Sequence, residues 1–292
     1  MAQPNPTADN TKEQDNPDPK AVKPEDMPWF LKEVQNLEPE ARELFEKYCM
    51  IPSDDVLSHV KQFRDKAFKI RPYPCLARFT FLEVGLTLSP QYAEILQRVK
   101  DGDTFLDLGC CVGQDIRKLV FDGAPSENTY GSDREKAFMD IGYDLFLDKD
   151  TLKTTFIGAD IFDAESDLKD LAGKIDIIHT AFFFHLWDLE GQTQAVRRVV
   201  QLFKDKVGSL LVGRQLGNIK GGTSEKGRFR HDAESFAQMW KKVGEEMGME
   251  WKVDAWLGEE DLWAKTQKEG LGDVGWVPPG SRVLNFTVRR VA

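Results

Sequence analysis

An α/β fold, with a mostly parallel sheet covered by helices on both faces, is what this 292-residue sequence predicts. Two observations lead to it. The run Phe105-Leu-Asp-Leu108 has the length and apolarity of a buried parallel strand, and it enters a turn bracketed by Gly109 and Gly113. Beyond Gly113, strand-length apolar runs alternate with helical patterns, and parallel strands need such crossovers.

The elements follow in order. Residues 1–28 are rich in Pro, Asn, Asp, Gln and Lys and nearly free of large apolar side chains, so a disordered leader is expected. Residues 29–100 read as a helical cap and lid. Trp29, Phe30, Val34 and Leu37 fall at helical spacing, Pro39 suits a first helical turn, and Ser53-Asp-Asp-Val opens another helix. Arg71-Pro-Tyr-Pro74 breaks the pattern, because proline donates no backbone hydrogen bond and biases its predecessor towards extended geometry. Phe79, Phe81, Leu82, Leu86 and Leu88 then lead into a helix from Pro90 to Lys100.

Residues 101–292 carry the sheet. After Phe105–Leu108 the strand candidates are Thr129–Asp133, Thr154–Gly158, Ile175–Ala181, Gly208–Gly213, Met249–Asp254 and Val283–Arg289. Helical patterns lie at Gln114–Phe121, Arg134–Leu147, Leu168–Leu171, Asp188–Phe203 and Asp232–Met247. An insertion at about 258–280, with Trp263, Trp276 and Pro278-Pro279, is too long for a simple turn.

Composition excludes several classes. A net charge of -10 without a basic stripe argues against a nucleic-acid partner. Four cysteines, two of them adjacent, form no secreted disulfide framework. Neither a signal peptide nor an apolar run of membrane-spanning length is visible, so a cytoplasmic protein without membrane insertion is expected.

The chemistry concentrates at strand ends. The turn is Gly-x-x-x-Gly, and Cys111 stands where a dinucleotide fingerprint would need its second glycine. Asp107 would repel a pyrophosphate there but suits an ammonium or a sulfonium. Asp133, about two dozen residues after Gly109, is placed to accept ribose hydroxyls. Asp160 stands where it would accept from an adenine amino group, with Ile161 packed on the ring. Each aspartate alone is also explained as a helix N-cap; three in register are harder to explain that way.

Thr180 and Ala181 end the fourth strand, at the switch point where open sheets bind ligands. Phe182, Phe183 and Phe184 offer apolar surface there, with Phe184 taken as a substrate contact, although any one ring can equally pack the core. His179, inside the strand, reads as a buried, hydrogen-bonded residue; His185, past its end, is the candidate base or positioning group. Arg214, Arg228 and Arg230 are candidates to fork a substrate carboxylate, against the alternative of solvated loop charges. Tyr73, in the lid stretch, is placed to meet the cofactor. No metal site is expected, for want of Cys-x-x-Cys or His-x-x-x-His spacing.

Asp107-Leu-Gly-Cys-Cys-Val-Gly113, Gly131-Ser-Asp-Arg134, Gly158-Ala-Asp-Ile161 and His179-Thr-Ala-Phe-Phe-Phe-His-Leu-Trp187, with Arg71-Pro-Tyr-Pro74 and Phe81-Leu-Glu-Val-Gly-Leu86, resemble the class I S-adenosylmethionine (SAM) methyltransferases of fungal secondary metabolism, meroterpenoid biosynthesis above all. The resemblance implies a Rossmann-like, seven-stranded sheet with its last strand antiparallel, SAM as cofactor, Arg134 among the cofactor residues, and a homodimer. It implies O-methylation of a small terpenoid or polyketide, foremost at a carboxylate. Methylation of a phenol, amine or carbon, and a SAM-binding regulator without catalysis, are the rivals; a nicotinamide oxidoreductase ranks last.

Overall fold

The computed structural model describes Lys23, Met27 and residues 29–271 and 274–292. Apart from Lys23 and Met27, the expected leader lies outside the described residues.

The cap contains α1 (Pro39–Glu43), which widens into a turn at Leu44–Tyr48, α2 (Val56–Ile70), α3 (Pro74–Ala77), single turns at Thr80–Leu82 and Gly85–Leu88, and α4 (Tyr92–Lys100). The helical spacing of Trp29, Phe30, Val34 and Leu37 does not become a helix. The fully buried Arg64 of α2 is the reason: its guanidinium donates to the carbonyls of Leu31 at 2.7 Å and Lys32 at 3.2 Å, which a helix would use itself. The same guanidinium lies 4.4 Å from the Phe30 ring and 4.1 Å from Phe79. The segment therefore packs as an extended strap on α2.

The sheet is built from β1 (Phe105–Leu108), β2 (Thr129–Asp133), β3 (Thr155–Gly158), β4 (Ile177–Ala181), β5 (Leu210–Asn218), β8 (Trp251–Leu257) and β9 (Ser281–Arg290), in the order β3-β2-β1-β4-β5-β9-β8. Strands β1 to β5 pair in parallel, and β9 runs antiparallel between β5 and β8. Between these strands lie α5 (Gln114–Phe121), α6 (Lys136–Phe146), α7 (Leu189–Leu202), α8 (Ala233–Met247) and α9 (Leu262–Lys268). This is the expected seven-stranded, mostly parallel α/β sheet. One face is covered by α7 and α8, through Val196, Val199, Phe236 and Trp240; the other carries α4 and α5, through Ile95, Val99, Ile116 and Leu119. The cap has its own core, shared with Phe138, Leu145 and Phe146 of α6.

Three local expectations change. The pattern at Leu168–Leu171 is one 3-10 turn, Asp167–Leu171. The fifth strand runs on to Asn218, because β9 pairs with it along its whole length. The polar loop beyond it folds into a hairpin, β6 (Gly222–Thr223) and β7 (Phe229–Arg230). The insertion holds α9, capped by Asp261, whose Oδ1 accepts from the Ala264 N–H at 2.9 Å.

Asp176, just ahead of β4, clasps the far end of the sheet. Its Oδ2 accepts from the backbone and hydroxyl of Thr104, each at 2.8 Å, and from Lys204 at 2.6 Å, while Lys206 pairs with Oδ1. Burial alone would raise this carboxyl, but the two lysines and Thr104 outweigh it and hold it far below the usual range. Its contribution to stability is complete above the unfolded carboxyl pKa of about 4 and fades as pH falls through the lowered folded value. Acid titration of Asp176→Asn should therefore show a shallower loss of stability below about pH 4 than the parent; identical curves would dismiss the clasp.

Candidate active site

Asp133, at the end of β2, holds the glycine-bracketed turn: Oδ2 accepts from Cys111 N–H at 3.0 Å and Oδ1 from Glu135 N–H at 2.9 Å. Burial pushes its carboxyl up to about 6, against those two backbone donors. The Arg71-Pro-Tyr-Pro74 stretch lies against this corner. Arg71 donates to Glu135 at 2.8 Å, Tyr73 packs 6.0 Å from the Phe138 ring, and the Tyr73 phenol is raised first by burial and next by the Asp133 charge. Asp160, after β3, accepts from the Phe162 N–H at 2.9 Å and stands 3.6 Å from Arg134. The ends of β2 and β3 are thus brought together.

Asp107 and His179 are register partners on β1 and β4, and His179 Nδ1 lies 2.8 Å from Asp107 Oδ1. His179 thus holds the buried, bonded place expected of it. Gly113, at φ +73°, opens α5. Gly109, at φ +82°, is required twice: a side chain would be strained there, and its Cβ would stand 2.9 Å from the Phe183 ring. The bare main chain expected for a ligand is therefore also the seat of an aromatic ring.

Beyond β4 the backbone turns through Phe182, at φ +52°, into a 3-10 turn, Phe184–Leu186. The hairpin docks there: Phe229 N–H donates to the Trp187 carbonyl at 3.0 Å, and the Gln192 amide bridges the carbonyls of Trp187 and Phe229 at 3.0 and 2.9 Å. Arg230, 3% exposed, donates through Nη1 to the His185 carbonyl, and its Nε has no hydrogen-bond partner among the described residues. Burial lowers Arg230 to about 10, helped by the charge of Arg228. Arg228 is half-buried, and its guanidinium has no hydrogen bond or ion pair among the described residues. His185 has a buried Nδ1 without a partner; burial first, then Arg230 and Arg228, hold its imidazole well below the ordinary range, so it is neutral at neutral pH. A cavity of about 480 Å³ lies away from all of this, beside Phe203, Met247, Trp251 and Arg290.

Residues 29–82, within the cap, match the model of the meroterpenoid methyltransferase N-terminal domain. Over 282 residues the chain is 39% identical to O-methyltransferase phiE of a fungal species, covering 91% of this chain and 93% of that protein. The chain belongs to the fungal secondary-metabolite methyltransferases. It is also 42% identical over 230 residues to the asnovolin E/chermesin D methyltransferase nvfJ of Aspergillus novofumigatus, across 76% of this chain and 82% of that protein. Methyltransferase adrK of Penicillium roqueforti is 40% identical over 252 residues, across 84% of this chain and 91% of that one. Among solved structures, a putative sarcosine dimethylglycine methyltransferase from Galdieria sulphuraria shares the fold, with a TM-score of 0.50 and 10% identity over 68% of this chain and 80% of that one. The fold is thus shared with a methyltransferase, in keeping with the family to which the chain belongs.

Three residues of the methyltransferase stand elsewhere than the sequence suggested. Phe184 is fully buried between the rings of Phe236 and Phe286, at 6.4 and 6.3 Å, and offers no surface to a substrate. Ile161 is buried in the core cluster with Leu168 and Val199, and its carbonyl accepts from Arg198 at 3.1 Å. Arg214 pairs with Glu83 of the cap, and its guanidinium carbon lies 5.1 Å from the Phe182 ring; its charge is already answered.

Sequence reasoning also missed two groups that hold the methyltransferase's motif turn. Asp115 lies buried in the first turn of α5, close to Asp107 and His179. An acidic residue in a first helical turn normally marks a solvated N-terminus, and only burial separates this one from that class. Arg117 is fully buried and forks Asp148 at 2.7 and 3.0 Å while donating to the Val112 and Gly113 carbonyls at 2.7 and 3.2 Å. Gly142 of α6 lets that turn approach, since a Cβ there would stand 2.4 Å from the Val112 carbonyl oxygen.

Proposed function

We propose that this methyltransferase esterifies a carboxylate of a terpenoid, meroterpenoid or polyketide metabolite, with SAM as donor. The observation that carries this reading is the pair Arg228, half-buried, and Arg230, buried, on the hairpin that docks beyond β4, neither of them paired with a carboxylate among the described residues. Such a pair is costly unless an anion completes it. His185 beside it supports the same class. A phenol near pKa 10 needs a base, and an imidazole held well below 6.5 faces a gap of more than about three units, over roughly 4 kcal/mol. A carboxylic acid, near 4, is already ionised and needs only orientation and loss of water.

The strand ends suit SAM as well. Asp107 keeps one buried oxygen, Oδ2, without a partner, as an incoming ammonium requires. Asp133 would take the ribose hydroxyls, Asp160 with Arg134 the adenine edge, Tyr73 the cofactor's carboxylate, and Gly109, Gly113, Thr180 and Ala181 the main-chain walls. When bound, SAM supplies a methyl group already activated on a sulfonium. The chain's own contribution is placement: Arg228 and Arg230 hold the acceptor's carboxylate, and His185 positions one of its oxygens. The cap meets the insertion with Trp29 edge-on to Trp276 at 5.1 Å and Arg78 donating to Glu269 at 2.5 Å.

Labelled SAM with candidate acids should give a product whose label leaves as methanol in mild alkali. Label that resists alkali, as in an ether, amine or C-methyl product, would overturn the carboxylate reading. Arg228→Leu should raise the acceptor's KM by about tenfold or more at unchanged SAM affinity; an unchanged KM would remove Arg228 from the acceptor site. A cytoplasmic homodimer belongs to the same reading, and light scattering on the eluted protein tests the dimer. Among the described residues, no helix is long and apolar enough to cross a membrane.

A further inference from the structure

Asp107, His179 and Asp115 form a buried trio beneath the motif turn. None is more than 2% exposed, and one donor or acceptor atom from each lies within 4.8 Å of the others. The 2.8 Å contact between His179 Nδ1 and Asp107 Oδ1 leaves Asp107 Oδ2 and His179 Nε2 as buried polar atoms without partners. Asp115 faces the cap. Its Oδ1 accepts from the Leu86 N–H at 2.7 Å, and its Oδ2 from the Gln114 amide at 3.0 Å; that amide also reaches the Glu83 carbonyl at 3.4 Å. Glu83 in turn pairs with Arg214 of β5. Residues 83–86 of the cap are therefore tied at both ends to the charges around the trio. A cavity of about 10 Å³, room for one water, touches His179, Arg214 and Gly85.

A carboxylate with one oxygen bonded is fixed in its plane, so its second oxygen points one way only. Asp115 has no hydrogen bond to His179, and the two are linked through charge: His179 raises the ionised fraction of Asp115, and Asp115 that of His179. Arg214 from β5 acts on both, and Asp133 from β2 faces Asp107.

We propose that His179 and Asp115 are positioning residues that make cofactor binding and cap closure one event. His179 aims Asp107 Oδ2 at the ammonium of SAM, and Asp115 carries the resulting change of charge to the Leu86 amide. This rests on the reading of Asp107 as the ammonium's partner. An ammonium on Oδ2 adds a positive charge beside Asp115, which favours its ionised form and so strengthens its hold on the Leu86 amide. By reciprocity, a closed cap favours the cofactor.

The two roles separate in full-length variants, read by calorimetric titration with SAM and by hydrogen exchange at the Leu86 amide. In the parent, SAM should slow exchange at Leu86. His179→Asn keeps a donor close to the place of Nδ1 and should hold SAM affinity within about threefold, whereas His179→Gln moves that donor and should weaken SAM by about tenfold or more. Asp115→Asn keeps an acceptor for Leu86 without the charge. It should lose the response of Leu86 to SAM while still binding it, whereas His179→Asn should keep that response. Parent-like affinity in His179→Gln overturns the aiming role, and a Leu86 amide indifferent to SAM in the parent overturns the coupling. Asp107→Asn tells the two levels apart. If it binds SAM as the parent does, the reading of Asp107 falls and the inference with it; if it binds weakly while His179→Gln does not, the inference alone falls. Should His179→Gln fail to fold, the Leu86 response of the two Asn variants decides.

Discussion

Arg117→Met should cost about 3–5 kcal/mol of unfolding free energy, because it leaves Asp148 ionised, buried and without its fork. The loss falls on several elements at once. Asp148 also accepts from the Tyr48 hydroxyl at 2.8 Å, and the guanidinium sits 4.5 Å from the Phe146 ring, so one ion pair joins the cap, the motif turn and the end of α6. The Val112 and Gly113 carbonyls lose their donor too. Chemical denaturation measures the change, and Arg117→Met combined with Asp148→Leu should recover part of it, since no lone charge then remains buried. A double variant as unstable as the sum of the two singles would mean that the side chains act separately.

Asp133→Ala should weaken SAM binding by roughly tenfold to 150-fold, on the basis of about 1.5–3 kcal/mol for a hydrogen bond to a charged acceptor. Part of that loss comes from the protein itself, because the Cys111 N–H would no longer be held against the end of β2. A pH dependence accompanies it. Burial raises the Asp133 carboxyl to about 6, so the ionised form that accepts from two hydroxyls is present above that pH and is lost as pH falls through it. SAM affinity should decline below about pH 6, and the decline should be missing from Asp133→Asn. Calorimetry at pH 5, 6 and 7 (roughly one unit either side of the shifted value) checks both statements; an Asp133→Ala protein that binds like the parent would reject the ribose assignment.

The sheet was legible because β1 and β4 are short apolar runs, strand-length segments alternate with helical patterns after β1, and the spacing between Gly109, Asp133 and Asp160 follows from successive βα units. What escaped the sequence depends on contacts distant along the chain. Arg64 takes the carbonyls that would have closed a helix after Trp29, and spacing cannot reveal a competitor more than thirty residues away. Arg214 looked available until Glu83, far upstream, proved to be its partner. Phe182, Phe183 and Phe184 are adjacent and chemically alike, yet one is exposed, one lies on Gly109 and one is core; the left-handed turn at Phe182 decides which is which. The reverse also occurred. Arg228 and Arg230 are candidates by composition alone, and what singles them out in the structure is that neither pairs with a carboxylate among the described residues.

The strand order has a consequence for how such a protein changes over generations. Everything assigned to the methyl donor, apart from Tyr73 and the short end of β4, lies in one uninterrupted stretch from Asp107 to Asp160, on three adjoining strands. The proposed acceptor surroundings are scattered over the cap, the hairpin of β6 and β7, and the α9 insertion, all outside that stretch. Insertions and deletions in the hairpin and the α9 insertion fall outside the donor stretch, whereas the cap is bonded to it at Asp115 and Asp148. A lineage can therefore inherit one way of presenting a methyl group and try it against a succession of different metabolites.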